Sequence, residues 1–189
     1  MKIYHCLFLS FWLCAVLTAE TVYLGNNIYY DDEGPINLAA DVRIAIRNLD
    51  SPYVMFMLYM TGDKNVSANI GRNNVVLVYK DKEYKMPNLS DLRKNYHATA
   101  RDMELYWRLG MENLSFSEIR HYYFNLTGDF FPAQQTGDLP RDQGSVSGNF
   151  GFRTNVYFKN PGFKAGDVVV IKVWDEKNPE IKGEVTVPL

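Results

Sequence analysis

The chain has 189 residues, with 20 Lys and Arg against 22 Asp and Glu, a net charge of −2 at pH 7 and 14% aromatic residues. No basic stripe runs through it, which argues against nucleic acid as a partner, and no basic amphipathic segment suits a membrane surface. Both cysteines, Cys6 and Cys14, fall in the first 19 residues, so the remainder must hold together by core burial and not by disulfides.

Residues 1–19 read as an export leader. Lys2 supplies the charged start, Cys6 to Leu17 is an apolar run broken only by Ser10, and Thr18-Ala19 is a small-residue end before Glu20. The run is shorter than the ~20 residues a spanning helix needs, so cleavage after Ala19 is expected, with no membrane span afterwards. Residues 20–189 then form a single domain, large enough to bury about two-thirds of its unfolded surface. An exported domain without cysteines points to a secreted or periplasmic protein of a bacterium.

A short strand is expected at Thr21–Leu24. In Asp41–Arg47, Val42, Ile44 and Ile46 alternate with other residues, the period of a strand with one buried face. Asn48 to Pro52 supplies a turn. Tyr53 to Met60 is apolar throughout, so both its faces, Val54/Phe56/Leu58/Met60 and Tyr53/Met55/Met57/Tyr59, need cover, as in a central strand. Gly62–Asn74 is polar and loop-like. Val75–Tyr79 and Glu83–Met86 form a hairpin around Lys80-Asp81-Lys82.

Ser90–Gly110 carries Leu92, Tyr96, Ala100, Met103 and Trp107 at spacings of three and four, one face of a helix over about 90–109. Ser90 is placed as its N-cap, Asp91 in its first turn and Gly110 as its C-cap. The helix lies either over the Tyr53/Met55/Met57/Tyr59 side of the sheet or across one end of it. Residues 111–127 fit a short helix or a strand equally. Gly128–Gly148, rich in Gly, Pro, Gln and Asp, reads as a long loop. Strands at Asn149–Lys159, Asp167–Asp175 and Ile181–Val187 close the chain.

About seven strands joined mostly by turns, with one inserted helix, predict a mainly β fold, an antiparallel β-sandwich. The long apolar strand, the Val-rich hairpin and the final Gly-Asp-Val-Val-Val-Ile-Lys-Val-Trp strand resemble bacterial extracellular immunoglobulin-like accessory domains. That resemblance implies an immunoglobulin-like sandwich and carries no functional residue with it; the Cys–Trp–Cys core of antibody domains is absent, and the helix is an addition to the plan.

Chemistry is sparse. His97 and His121, the two histidines after the leader, sit in no zinc pattern. Gly144-Ser145-Val146-Ser147-Gly148 has valine where a nucleophile elbow needs serine. Asp31-Asp32-Glu33-Gly34 and the Asp138/Asp142 pair have oxygens for calcium but lack its spaced loop. Four Asn-x-Ser/Thr sites, at Asn65, Asn88, Asn113 and Asn125, are glycan acceptors only in a eukaryotic secretory pathway. No catalytic residue, metal or cofactor is assigned. The informative excess is aromatic: Tyr106, Phe130 and Phe131 stand in or beside a stretch hard to bury, which makes them candidate binding anchors. Tyr96 and Trp107 are instead expected to fill the gap between helix and sheet. The expectation is an exported, non-catalytic module that binds a protein or cell-envelope partner through residues 106–142. A small hydrolase of polysaccharide or peptide with carboxylates in the 128–148 loop, and a subunit that assembles through a sheet edge, are its rivals.

Overall fold

The computed structural model describes residues 21–112, 123–125, 129–132 and 139–189. The leader reading, His121, Asp138 and most of the ambiguous 111–127 stretch lie outside them. Of the described residues, 47% are in strands, so the fold is mainly β. The strands form two antiparallel sheets.

The larger sheet contains β1 (Val22–Gly25), β2 (Ile28–Asp31), β3 (Ile36–Asp41), β4 (Tyr53–Gly62), β5 (Ser67–Gly71), β8 (Tyr123–Asn125), β9 (Gln143–Ser147) and β10 (Phe150–Lys159), in the order β1-β2-β3-β4-β10-β9-β5, with β8 parallel to the start of β10. The smaller sheet contains β6 (Val75–Tyr79), β7 (Lys82–Lys85), β11 (Val168–Trp174) and β12 (Lys182–Pro188), in the order β12-β11-β6-β7.

The apolar run Tyr53–Met60 is buried along its whole length and pairs with β3 on one side and β10 on the other. Residues opposite one another across an antiparallel pair share a face. One face therefore carries Val54, Phe56, Leu58 and Met60 beside Phe158, Val156, Thr154 and Phe152. Its apolar members join Val75, Leu77, Val169, Ile171, Val173, Val185 and Val187 of the smaller sheet in one core. The other face carries Tyr53, Met55, Met57 and Tyr59 beside Lys159, Tyr157, Asn155 and Arg153, and the helices lie over it.

Several expectations are corrected. Asp41–Arg47 is not a strand: β3 ends at Asp41, and α1 (Arg43–Arg47) follows. The Asp41 carboxylate accepts the Arg43 main-chain N–H at 3.0 Å and pairs with the Arg43 guanidinium, turning the chain. Over five residues a helical period is hard to tell from alternation, and the helix buries Ile44 and Ala45. Two stretches read as loop contain strands. β5 buries Ala68 and Ile70 and pairs along β9, both hidden in polar sequence.

The single helix is two, α2 (Leu89–Asn95) and α3 (Thr99–Glu112). Asn88, not Ser90, caps the first, its side-chain oxygen accepting the Asp91 N–H at 2.7 Å. Tyr96 is extended, and α3 runs through Gly110 to Glu112. The break resets the phase. Asp102, Met103, Tyr106 and Leu109 face inward, while Ala100 and Trp107 turn out, Trp107 to 38% exposure.

Candidate functional site

The three candidate anchors are core residues. Tyr106 and Phe130 are 0% exposed and Phe131 is 2% exposed. The obstacle to burying Phe130 and Phe131 was their main chain, and two side chains of β10 remove it. Thr154 Oγ1 accepts the Phe130 N–H at 3.0 Å, and Asn155 Oδ1 accepts the Phe131 N–H at 3.1 Å. Like neighbours in a strand, the two rings take opposite faces: Phe130 packs on Phe152 at 6.0 Å between centroids, and Phe131 meets Tyr157 edge-on at 5.3 Å. The expectation of an exposed aromatic cluster is therefore corrected. Tyr96 fills the gap under the helices as expected, its ring between Tyr53 and Tyr157.

Polar groups are buried in the same layer. The Tyr106 hydroxyl donates to Asp129, and the Arg153 guanidinium lies 4.7 Å from the centre of the Tyr106 ring and 5.5 Å from that of Trp107. Burial, then the Asp129 charge, holds the Tyr106 phenol well above its ordinary pKa. Asp102 accepts from the Tyr96 hydroxyl at 2.8 Å and from Asn48 at 3.3 Å. Burial pushes its carboxyl up, against the lowering effect of Tyr96. A space in this layer, lined by Leu92, Met103, Phe131 and Tyr157 among others, is about 10 Å³, near the lower limit for one water.

The larger concavity lies elsewhere, where four segments of chain meet. Its walls are the 3₁₀ turn Arg72–Asn74 between β5 and β6, the Met86–Asn88 link into α2 with Asp91, the start of β9 at Asp142 and Gln143, and Glu176 after β11. Its volume is about 720 Å³, within the ~300–1,000 Å³ usual for ligand sites.

Each wall is fixed by its own hydrogen bonds. The Arg72 N–H donates to the Asp142 carbonyl at 3.0 Å, and the two side chains form an ion pair. The Arg72 guanidinium also lies 5.9 Å from the centre of the Phe131 ring, which ties the cleft to the aromatic layer. Asp91 is held by Asn88 as the helix cap. Glu176 donates its N–H to the Asn69 carbonyl at 2.8 Å, while Asp175 accepts the Asn69 N–H at 2.6 Å. That brings the loop after β11 against β5.

The cleft offers the amides of Asn73, Asn74, Asn88 and Gln143, the carboxylates of Asp91, Asp142 and Glu176, one guanidinium, and an apolar patch at Met86 and Pro87. Such a lining can hydrogen-bond a polar ligand from several sides. Two of its three carboxylates already hold local partners. Among the described residues no three His, Cys, Asp or Glu side chains converge on a metal position, and no helix is long and apolar enough to cross a membrane. Of the residues weighed from sequence, Asp142, the glycan-acceptor Asn88 and the first-turn Asp91 line this cleft, none of them for the role weighed there. Arg72, Asn73, Gln143 and Glu176 were missed because nothing local marks them; only the strand order brings them together. Comparison of the chain with protein-family models, with curated proteins and with solved structures returned no match.

Proposed function

We propose that this chain is an exported, non-catalytic module of immunoglobulin-like β-sandwich build that binds a protein or cell-envelope partner in the cleft between Arg72–Asn74, Asn88, Asp91, Gln143 and Glu176. The observation that carries the reading is the cleft's lining: side-chain amides set among carboxylates of which two are already tied to Arg72 and Asn88. Amides donate and accept at once and keep no titrating group poised for chemistry, which suits recognition better than bond cleavage. Two sheets sharing one core support the sandwich, and the leader-like residues 1–19 support secretion or a periplasmic location.

The test uses residues 20–189 and a variant, Asn73→Ala with Gln143→Ala, at two exposed wall positions. Binding is measured against a panel of purified envelope polysaccharides and envelope proteins. The expected result is capture of one class, weakened about tenfold or more in the variant, with the melting temperature unchanged. Equal binding by both proteins overturns the reading. Turnover of a glycan or peptide that disappears in Asp142→Asn would establish the hydrolase instead.

A further inference from the structure

Among the groups buried where α2 and α3 meet the large sheet is one carboxylate. Asp102, in the first turn of α3, is 1% exposed. Three elements converge on it. The Tyr96 hydroxyl, from the link between the helices, donates to it at 2.8 Å. Asn48, from the turn after α1, donates at 3.3 Å. The Tyr157 hydroxyl of β10 faces it, too far for a formed hydrogen bond but near enough to favour its charged form. Arg101 acts on it only from an exposed position. Among the described residues no Lys or Arg is ion-paired with it.

A buried carboxylate met only by neutral donors is costly when ionised. Once protonated it loses that cost and gains a hydrogen to give, and the facing Tyr157 oxygen is able to accept it. The link Tyr96–Ala98, where the helical hydrogen bonds are interrupted, is a ready hinge. Burial raises the carboxyl above its ordinary range and outweighs Tyr96, Tyr157 and Arg101, which all favour its charged form.

We propose that Asp102 is a proton-operated latch: with its carboxyl protonated α3 is closed on the sheet, and with its carboxyl ionised α3 swings more readily about Tyr96–Ala98. The device does not depend on what the polar cleft binds. The open form would uncover the Tyr157 and Tyr53 side of the sheet.

The test is hydrogen–deuterium exchange of the α2–α3 segment in the full mature chain at pH 5 and pH 8, corrected for the intrinsic rate. β11 serves as the internal control, because it packs in the other half of the core. The expected result is that α3 protection, relative to β11, falls about tenfold or more between the two pH values. In Asp102→Asn it should stay high at both. His97, exposed in the same link, is the competing explanation, and His97→Gln should leave the dependence intact. Equal wild-type protection at both pH values overturns the proposal, and so does a dependence that survives Asp102→Asn or vanishes in His97→Gln. Should Asp102→Asn fail to fold, the carbon NMR titration of the Asp102 carboxyl in the wild-type chain decides: its midpoint must coincide with that of the loss of α3 protection, and a mismatch overturns the latch.

Discussion

Asn155 and Phe131 exchange two hydrogen bonds as though both were strand residues. The side-chain oxygen of Asn155 accepts the Phe131 N–H at 3.1 Å, and its side-chain nitrogen donates to the Phe131 carbonyl at 2.7 Å. A carboxamide has the same donor and acceptor pair as a peptide unit. One side chain of β10 therefore replaces a rung of ladder along its edge, and the segment bearing Phe130 and Phe131 is buried without a strand of its own.

This makes Asn155 a demanding position. Asn155→Ala leaves both polar groups of Phe131 buried without partners, and should cost about 2–4 kcal/mol. Asn155→Asp keeps the acceptor but loses the donor and buries a charge, so it should be no milder. Urea unfolding midpoints measure both. A loss below about 0.5 kcal/mol in both would show that water replaces the amide.

The two rings follow the same logic. Phe130→Ser combined with Phe131→Ser removes two buried aromatics, each worth roughly 3–5 kcal/mol on truncation. The sum is comparable with a whole domain's stability of ~5–15 kcal/mol. The double variant should melt far below the parent or fail to fold, whereas Phe131→Leu should lose much less. A double variant with unchanged melting and lost partner capture would return these residues to the surface role expected from sequence.

What could be read from sequence was whatever one segment states alone. Tyr53–Met60 announces a strand covered on both faces because eight successive residues lack a polar break, and the hairpin around Lys80-Asp81 is marked at both ends. Asp41–Arg47 misled because Val42, Ile44 and Ile46 alternate, while the real turn depends on the Asp41 carboxylate reaching the main chain two residues on. The helix over Ser90–Gly110 was visible but not its break, since Tyr96 leaves the helix to reach Tyr53, Tyr157 and Asp102, all distant in sequence or out of helical phase. The cleft was illegible for the same reason. Residues 72, 88, 142 and 176 meet only through strand order and a pair of main-chain bonds at Asn69 and Arg72.

Gly183 tests how closely the two sheets meet. A Cβ built there overlaps the Ile36 carbonyl, a main-chain group of β3 with no freedom to yield. Gly183→Ala must push β12 away from β3 and disturb the pairing Gly183↔Val173. A loss of about 2–4 kcal/mol is expected. Gly71→Ala is the control, because the nearest atom to its Cβ is the Asn74 side-chain oxygen at 3.0 Å, the end of a flexible side chain. If both substitutions cost the same, the contact between β12 and β3 is looser than the structure has it.

The pH profile of stability should have its maximum on the acid side of neutrality. Burial raises the carboxyls of Asp31 and Asp102. The folded state therefore holds their protons more tightly than the unfolded chain, and stability falls as pH rises from ~4 through their folded values. Asp175 behaves in the opposite sense. Burial disfavours its charge, but the N–H groups of Asn69, Asn178 and Lys177 outweigh that and hold its carboxyl below the ordinary range. Asp167 is lowered by the Lys164 N–H and then by the Tyr79 hydroxyl. The stability these two contribute is fully present above ~4 and is lost as pH falls through their folded values. Melting temperatures taken from pH 2 to pH 8 should rise on acidification from neutrality and then drop below about pH 4. Asp102→Asn should flatten the first limb alone, while Asp175→Asn should shallow the second. A melting temperature that climbs steadily from pH 4 to pH 8 in the wild-type chain would mean that burial does not raise the carboxyls of Asp31 and Asp102.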